Sequence, residues 1–218
     1  MDIKVDQRTV IVFDLDDTLY NEMDYLRSAY TFIAKKLDPN GWQQLFSQMF
    51  SLFRSKEDVF EFVSQKYGIE KSALISTYRS HVPELKLFDG ALDVIKGIKE
   101  KGGKIGIITD GRKSTQSVKL KALQIIEIVD KIVISEEVGS EKPEERNYRI
   151  IEEAFPNCSY LYMADNLRKD FISPNRLGWN SICLIDNGHN MHYDGHLYFT
   201  KDCRPKNFVT SFKEINII

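Results

Sequence analysis

The sequence predicts an α/β protein, a parallel-sheet core with a helical domain inserted near its start. Three observations carry this. Short apolar runs at 10–13, 104–108, 132–134, 160–163 and 181–184 have the length and composition of buried strands. From residue 88 onward such runs alternate with helical stretches, the pattern of a parallel sheet covered on both faces. Residues 23–81, by contrast, show apolar side chains at three- and four-residue steps and no convincing strand.

In chain order, the first strand is Val10-Ile11-Val12-Phe13. The helical block opens with the stripe Tyr25, Leu26, Ala29, Tyr30, Ile33 and Leu37. Asp38-Pro39 reads as an N-cap with proline at the first helical position of a second helix, striped by Trp42, Leu45, Phe46, Met49, Phe50 and Phe53. A third helix carries Val59, Phe60, Val63 and Tyr67 and ends at Gly68, a natural C-terminal cap. A fourth covers 71–80. Next comes a helix through Ala91, Val94, Ile95 and Ile98, broken by Gly102-Gly103 before the second strand. Helices at 114–123 and 143–155 separate the later strands. The more polar tail from 186 is expected to hold a short strand and a final helix at 211–215. The core is therefore assigned to 1–19 and 86–218, and the inserted domain to 20–85.

A chain of 218 residues can hold one large domain, or a core with a modest insertion. Its net charge of −2 offers no electrostatic attraction for a nucleic acid polymer or an acidic membrane. No apolar run is long enough to span a bilayer. The first residues lack the basic and apolar regions of a signal peptide, and three widely spaced cysteines, Cys158, Cys183 and Cys203, read as reduced thiols. A cytoplasmic location is expected. The sequence does not specify an oligomeric state.

In parallel sheets the ligand crevice lies beyond the carboxyl ends of the strands. Four such ends carry suggestive groups. After the first strand comes Asp14-Leu15-Asp16-Asp17-Thr18. Residues two apart in extended chain share a side, so Asp14 and Asp16 should face one crevice while Asp17 leans away. At about 4 Å and an effective dielectric near 20 two such charges repel by about 4 kcal/mol, which a bound hard cation would relieve. A solvated acidic turn fits this segment equally well. Thr109-Asp110-Gly111-Arg112 follows the second strand and suits a phosphate cradle, or an ordinary strand-to-helix turn. Lys142 precedes Pro143, which at a first helical position would fix the lysine as a point charge for phosphoryl oxygen; a solvated surface lysine is the ordinary alternative. Met163-Ala164-Asp165-Asn166, with Asp170 beyond, offers either a carboxylate for a metal site or a helix N-cap.

The order of these groups resembles the haloacid dehalogenase (HAD) superfamily of hydrolases. Its Asp-x-Asp-x-Thr motif is matched by Asp14-Leu15-Asp16-Asp17-Thr18, its Thr or Ser by Thr109, its basic residue by Lys142, and its acidic pair by Asp165 and Asp170. Nearly the whole chain is covered, since the helical block falls where the family's C1 cap is inserted. One departure is Ala164, where the family usually has glycine; its methyl group can crowd the site.

The resemblance implies a Rossmann-like core, an α-helical cap domain and a Mg²⁺-dependent phosphomonoester hydrolase. It makes Asp14 the nucleophile that forms an aspartyl-phosphate and Asp16 the proton donor and acceptor. Mg²⁺ would be held by the Asp14 and Asp165 side chains and the Asp16 carbonyl. Thr109, with the amides of Asp110 and Gly111, would hold phosphoryl oxygens, and Lys142 would neutralise their charge. Asp170 is assigned to orienting Lys142 or a metal-bound water, and Asn166 to the metal's water shell. The family's metal-independent dehalogenases lack a carboxylate at the Asp16 position, so phosphatase chemistry is favoured.

Specificity is expected from the cap and from residues just past the first motif, with Tyr20, Asn21, Glu22 and Tyr25 as candidates for substrate contact and Arg112 as a further one. The substrate class is a small-molecule phosphate ester, a sugar phosphate or a nucleoside monophosphate. A phosphoglucomutase-like phosphotransferase shares every motif, and a binding or regulatory protein on the same scaffold is the non-enzymatic alternative. His189, His192 and His196 lack helical spacing and read as part of a polar loop rather than a metal site.

Overall fold

A computed structural model describes residues 1–218. Its main sheet has six parallel strands in the order β4-β3-β2-β5-β6-β7. In chain order these are β2 (Thr9–Phe13), β3 (Lys104–Thr109), β4 (Lys131–Ile134), β5 (Ser159–Ala164), β6 (Asn180–Leu184) and β7 (Asn207–Val209). Strand β2 is central, with Phe13 in register with Ile107 of β3 on one side and Met163 of β5 on the other. The connections run outward through β3 and β4, then return to the far side of β2, so strand order reverses beside it. That reversal opens a crevice at the carboxyl end of β2.

Pleating sorts the core. Ile11 and Phe13 join one buried cluster with Ile105, Ile107, Leu161 and Met163; Val10 and Val12 face the other layer with Ile108, Tyr162 and Ala164. Helices α5 (Ala91–Glu100) and α6 (Lys113–Ala122) pack on the first face, and α8 (Glu145–Ala154) on the second. Gly106 lets α8 approach β3, since a Cβ there would lie 3.1 Å from both Ile151 and Val12 side-chain carbons. The short helices α7 (Ser135–Val138) and α9 (Ile172–Arg176) occupy connections beside β4 and β6. A small parallel pair, β1 (Asp2–Ile3) with β8 (Asn216–Ile217), ties the two termini together.

Between β2 and α5 the chain forms four helices: α1 (Glu22–Leu37), α2 (Trp42–Arg54), α3 (Val59–Tyr67) and α4 (Lys71–Arg79). They enclose their own apolar cluster, including Leu26, Tyr30, Ile33, Leu45, Met49 and Val63. No helix is long and apolar enough to cross a membrane.

Three local expectations are corrected. Asp38 caps the end of α1 and its carboxylate accepts from the Gly41 amide at 2.8 Å, so α2 begins at Trp42 and Pro39 lies in the turn. Helix α8 begins at Glu145, two residues after Pro143, because a turn closed by the Glu144 amide on the Glu141 carbonyl comes first. The expected terminal helix at 211–215 is a single 3₁₀ turn, Phe212–Glu214, too short for a run of α-helical bonds before β8 pairs with β1.

Candidate active site

The carboxyl ends of β2, β3 and β5 meet at a polar cavity of about 170 Å³. Asp14, Asp16, Thr109, Asp110, Asp165 and Asn166 all line it. The chain also brings in Asp17, Glu22, Lys169 and His192. No hydrophobic side chain faces the space.

Asp14 lies just past β2, its amide held by the Met163 carbonyl at 2.9 Å. Lys142 Nζ sits 2.6 Å from Asp14 Oδ1 and 2.8 Å from Asp170 Oδ1, with its side chain only 1% exposed. Burial opposes the ammonium, but Asp14, Asp170 and Asp110 hold its pKa well above the ordinary lysine value. The Lys142 amide also donates to Asp110 Oδ1 at 3.0 Å, while Asp110 Oδ2 pairs with Lys169 at 2.5 Å. Asp170 is fully buried and accepts from the Asn166 amide at 3.0 Å. It therefore braces both Lys142 and the turn after β5.

Asp14, Asp165 and Asp170 present carboxylate oxygens all within 4.8 Å of one another. Burial first, then Asp170, push the Asp14 carboxyl up to about 7 against the pull of Lys142. Asp165 is raised well above its ordinary range by burial and by its neighbours Asp170 and Asp14. An all-oxygen donor set whose charges repel one another fits a hard divalent cation, which would relieve that repulsion.

Asp16 lies in a different environment. Its Oδ1 accepts from Lys119 Nζ at 2.6 Å and from the Tyr20 hydroxyl, and its Oδ2 from Gln116 Nε2 at 2.9 Å. Burial works against its ionised form, but Lys119, Tyr20 and Gln116 outweigh this and leave its pKa below the ordinary carboxylate value. Gln116 also donates to Thr109 Oγ1, linking the second carboxylate to the end of β3. Lys119, itself buried, lies 3.5 Å from Glu22 at the start of α1 and 4.9 Å from the centre of the Tyr25 ring. Glu22 is pushed up to about 7 by burial and by the Asp16 charge.

Asp17 does not lean away. The chain has left the strand at Phe13, so pleat alternation no longer governs it, and Asp17 takes a left-handed φ of 57°. Its buried carboxylate accepts from the Glu22 amide at 2.8 Å and the Met191 amide at 2.6 Å. It thus anchors both the start of α1 and the loop after β6.

Five expected phosphate or substrate contacts fall elsewhere. Arg112 points outward to Glu136 at 3.3 Å, with 53% of its side chain exposed. The Gly111 amide is spent on the Ser135 hydroxyl at 2.8 Å. Tyr20 is completely buried beneath Asp16, and Tyr25 is buried with its hydroxyl on the Tyr78 carbonyl at 2.8 Å. Asn21 faces a neighbouring cavity and accepts from Asn187 Nδ2 at 3.0 Å. Glu22 alone of that segment reaches the polar cavity. Ala164 is fully buried within β5.

Gln116, Lys119, Lys169 and Asn190 join the site beyond the expected residues, and His192, expected in a polar loop, lines the cavity. Gln116 and Lys119 carry a retrievable signal: they lie three apart on one helix face, on the buried stripe shared with Leu120 and Leu123. Asn190 Nδ2 donates to Asp165 Oδ2 at 2.9 Å, from a loop with no periodic pattern to announce it.

The model of the haloacid dehalogenase-like hydrolase family matches residues 11–184. A glyceraldehyde 3-phosphate phosphatase of Methanothermobacter thermautotrophicus is 30% identical over 200 residues, covering 80% of this chain and 84% of that one. The pyrimidine 5'-nucleotidase YjjG of Escherichia coli is 24% identical over 202 residues, covering 85% and 89%. Among solved structures, the HAD-hydrolase YfnB of Bacillus subtilis, bound to magnesium, superposes with a TM-score of 0.66 at 19% identity, covering 95% of this chain and 96% of that one.

Proposed function

The chain belongs to the haloacid dehalogenase-like hydrolases, and from that membership we propose that it is a Mg²⁺-dependent phosphomonoester hydrolase acting on a small phosphorylated metabolite. The carrying observation is the division of labour between its two leading carboxylates. Asp14 faces Lys142 and the acidic cluster, whereas Asp16 stands apart on Lys119, Gln116 and Tyr20. A nucleophile and a separate proton carrier are what ester hydrolysis through a covalent intermediate requires. The phosphatases among the related sequences support the same reading.

Asp14 Oδ attacks phosphorus and the bond from phosphorus to the ester oxygen breaks, leaving an aspartyl-phosphate. Asp16, in its minor protonated form, delivers a proton to the departing alkoxide and is left ionised, the form that Lys119, Tyr20 and Gln116 favour. It then accepts one from the water that attacks the aspartyl-phosphate, restoring Asp14 and releasing phosphate. Thr109 and Lys142 meet the charge on the phosphoryl oxygens. Mg²⁺ held by Asp14 and Asp165, with the Asp16 carbonyl, would shield the nucleophile from the anionic substrate. The four-helix block acts as a cap, and Glu22 carries its first turn to the cavity.

The test is a broad screen of phosphate esters with Mg²⁺. Turnover is expected, together with its loss in Asp14→Asn and its reversible loss on chelation. Rates that survive either treatment overturn the assignment.

A further inference from the structure

In the phosphatase reading the phosphoryl end of the cavity is lined by Asp14 and Thr109, with Lys142 buried behind Asp14, and the leaving-group end is unassigned. Beyond these, Glu22 from the helical block and His192 from the loop after β6 complete the wall. Two hydrogen bonds fix this loop: Asn190 to Asp165 at 2.9 Å and the Met191 amide to Asp17 at 2.6 Å. The residue that follows these anchors, His192, is carried to the cavity wall. Met191 meanwhile packs against the apolar cluster of the helical block, so the loop bridges core and cap.

Three features of this end select a ligand. At about 170 Å³ the cavity is well below the roughly 300 Å³ at which pockets for drug-sized ligands begin. No aromatic or aliphatic side chain lines it, so a nucleobase would find no surface to stack on. Carboxylates dominate its wall, and the cations Arg54 and Lys56 line a different cavity on the far side of Asn190 and Met191. The cation on this wall, Lys169, is paired with Asp110 at 2.5 Å, and Lys119 behind it with Asp16 and Glu22, so a second phosphate would meet carboxylates and no unpaired charge. Hydroxyl groups suit the wall, since carboxylates accept from them and imidazole can do either.

We propose that the loop 186–195 and Glu22 form a leaving-group subsite for a short hydroxylated phosphomonoester, with His192 as its specificity-determining residue, and that this subsite rejects nucleotides and bisphosphates. The inference rests on the phosphatase reading and narrows it.

The test compares glycerol phosphate, a pyrimidine nucleoside monophosphate, a sugar bisphosphate and acetyl phosphate, all with Mg²⁺. Acetyl phosphate reports on the phosphoryl end alone. The expected kcat/KM for glycerol phosphate exceeds that for the nucleotide and the bisphosphate by at least about tenfold. A nucleotide or bisphosphate turned over as well as glycerol phosphate overturns the inference and leaves the phosphatase reading standing. No turnover of any compound, acetyl phosphate included, overturns that reading and the inference with it. His192→Ala is expected to lower the ratio of glycerol phosphate to acetyl phosphate kcat/KM by about tenfold, the cost of one lost hydrogen bond, and His192→Gln to recover part of it. An unchanged ratio in His192→Ala overturns the residue's assignment.

Discussion

Lys119 Nζ lies 2.6 Å from Asp16 Oδ1, although the two residues are 103 positions apart. With 4% of its side chain exposed, this lysine has little water to fall back on, and Asp16 and Glu22 are its charge partners. It fixes where the second carboxylate points. Lys119→Met is predicted to lower kcat by about 10- to 100-fold, part of what a positioned acid or base contributes, with KM nearly unchanged. Lys119→Arg should recover part of the loss because it keeps the charge. Steady-state kinetics on any accepted ester decide the matter, and a wild-type kcat in Lys119→Met would refute the positioning role.

Lys142 carries a structural load beside its proposed chemical one. It neutralises Asp14 and the fully buried Asp170 at 2.6 and 2.8 Å. Lys142→Met would leave two buried carboxylates facing each other, a change that typically costs about 3–5 kcal/mol. Urea unfolding should show that loss as a lower midpoint with an unchanged slope. A loss below about 1 kcal/mol, the size of an exposed pair, would mean the charges are hydrated in solution.

The acidic cavity predicts a pH dependence that a cation should cancel. Burial, together with neighbouring carboxylates, raises Asp14 and Glu22 to about 7 and Asp17 to about 6, from ordinary values of 3.8, 4.5 and 3.8. Between those ordinary values and the raised ones, the folded protein binds more protons than the unfolded chain. Stability from these groups therefore falls as pH rises from about 4 to about 7. Mg²⁺ bound at the proposed site would favour the ionised Asp14 and offset the fall. Thermal melts should show a larger Mg²⁺-induced rise in Tm at pH 8 than at pH 5. Equal rises at both would contradict the linkage.

Asp16 and Asp17 should separate activity from stability. Asp16→Asn is predicted to abolish most turnover with a modest change in Tm. Asp17→Ala removes the acceptor for two backbone donors, Glu22 N and Met191 N, at about 1–3 kcal/mol for each donor left buried and unpaired. Its main effect should be a lower Tm and faster proteolysis in the loop 186–195, read by limited digestion. An Asp17→Ala protein that melts like wild type would show that water replaces the carboxylate at both amides.

The strands and the first-motif carboxylates were legible because their signals are local. An apolar run of four to six residues that ends in Asp or Thr states both the strand and the group at its end, and Phe13-Asp14 and Ile108-Thr109 are such cases. Parallel strands alternating with helices then put those ends on one side of the sheet. Local signals fail where the chain leaves regular structure: pleat alternation does not extend to Asp17, whose φ is left-handed, and α8 starts two residues after Pro143.

By itself, then, the sequence determined the class of fold and the chemical groups offered at the strand ends, since periodicity and residue type are properties of short segments. Only the tertiary structure decided how those groups are wired. Asp16 meets Gln116 and Lys119 because α6 packs against the first face of the sheet, and Asp17 meets Met191 because the chain returns after 174 residues to close the cavity. Contacts at such separations depend on how helices and loops pack around β2, and no local pattern encodes them.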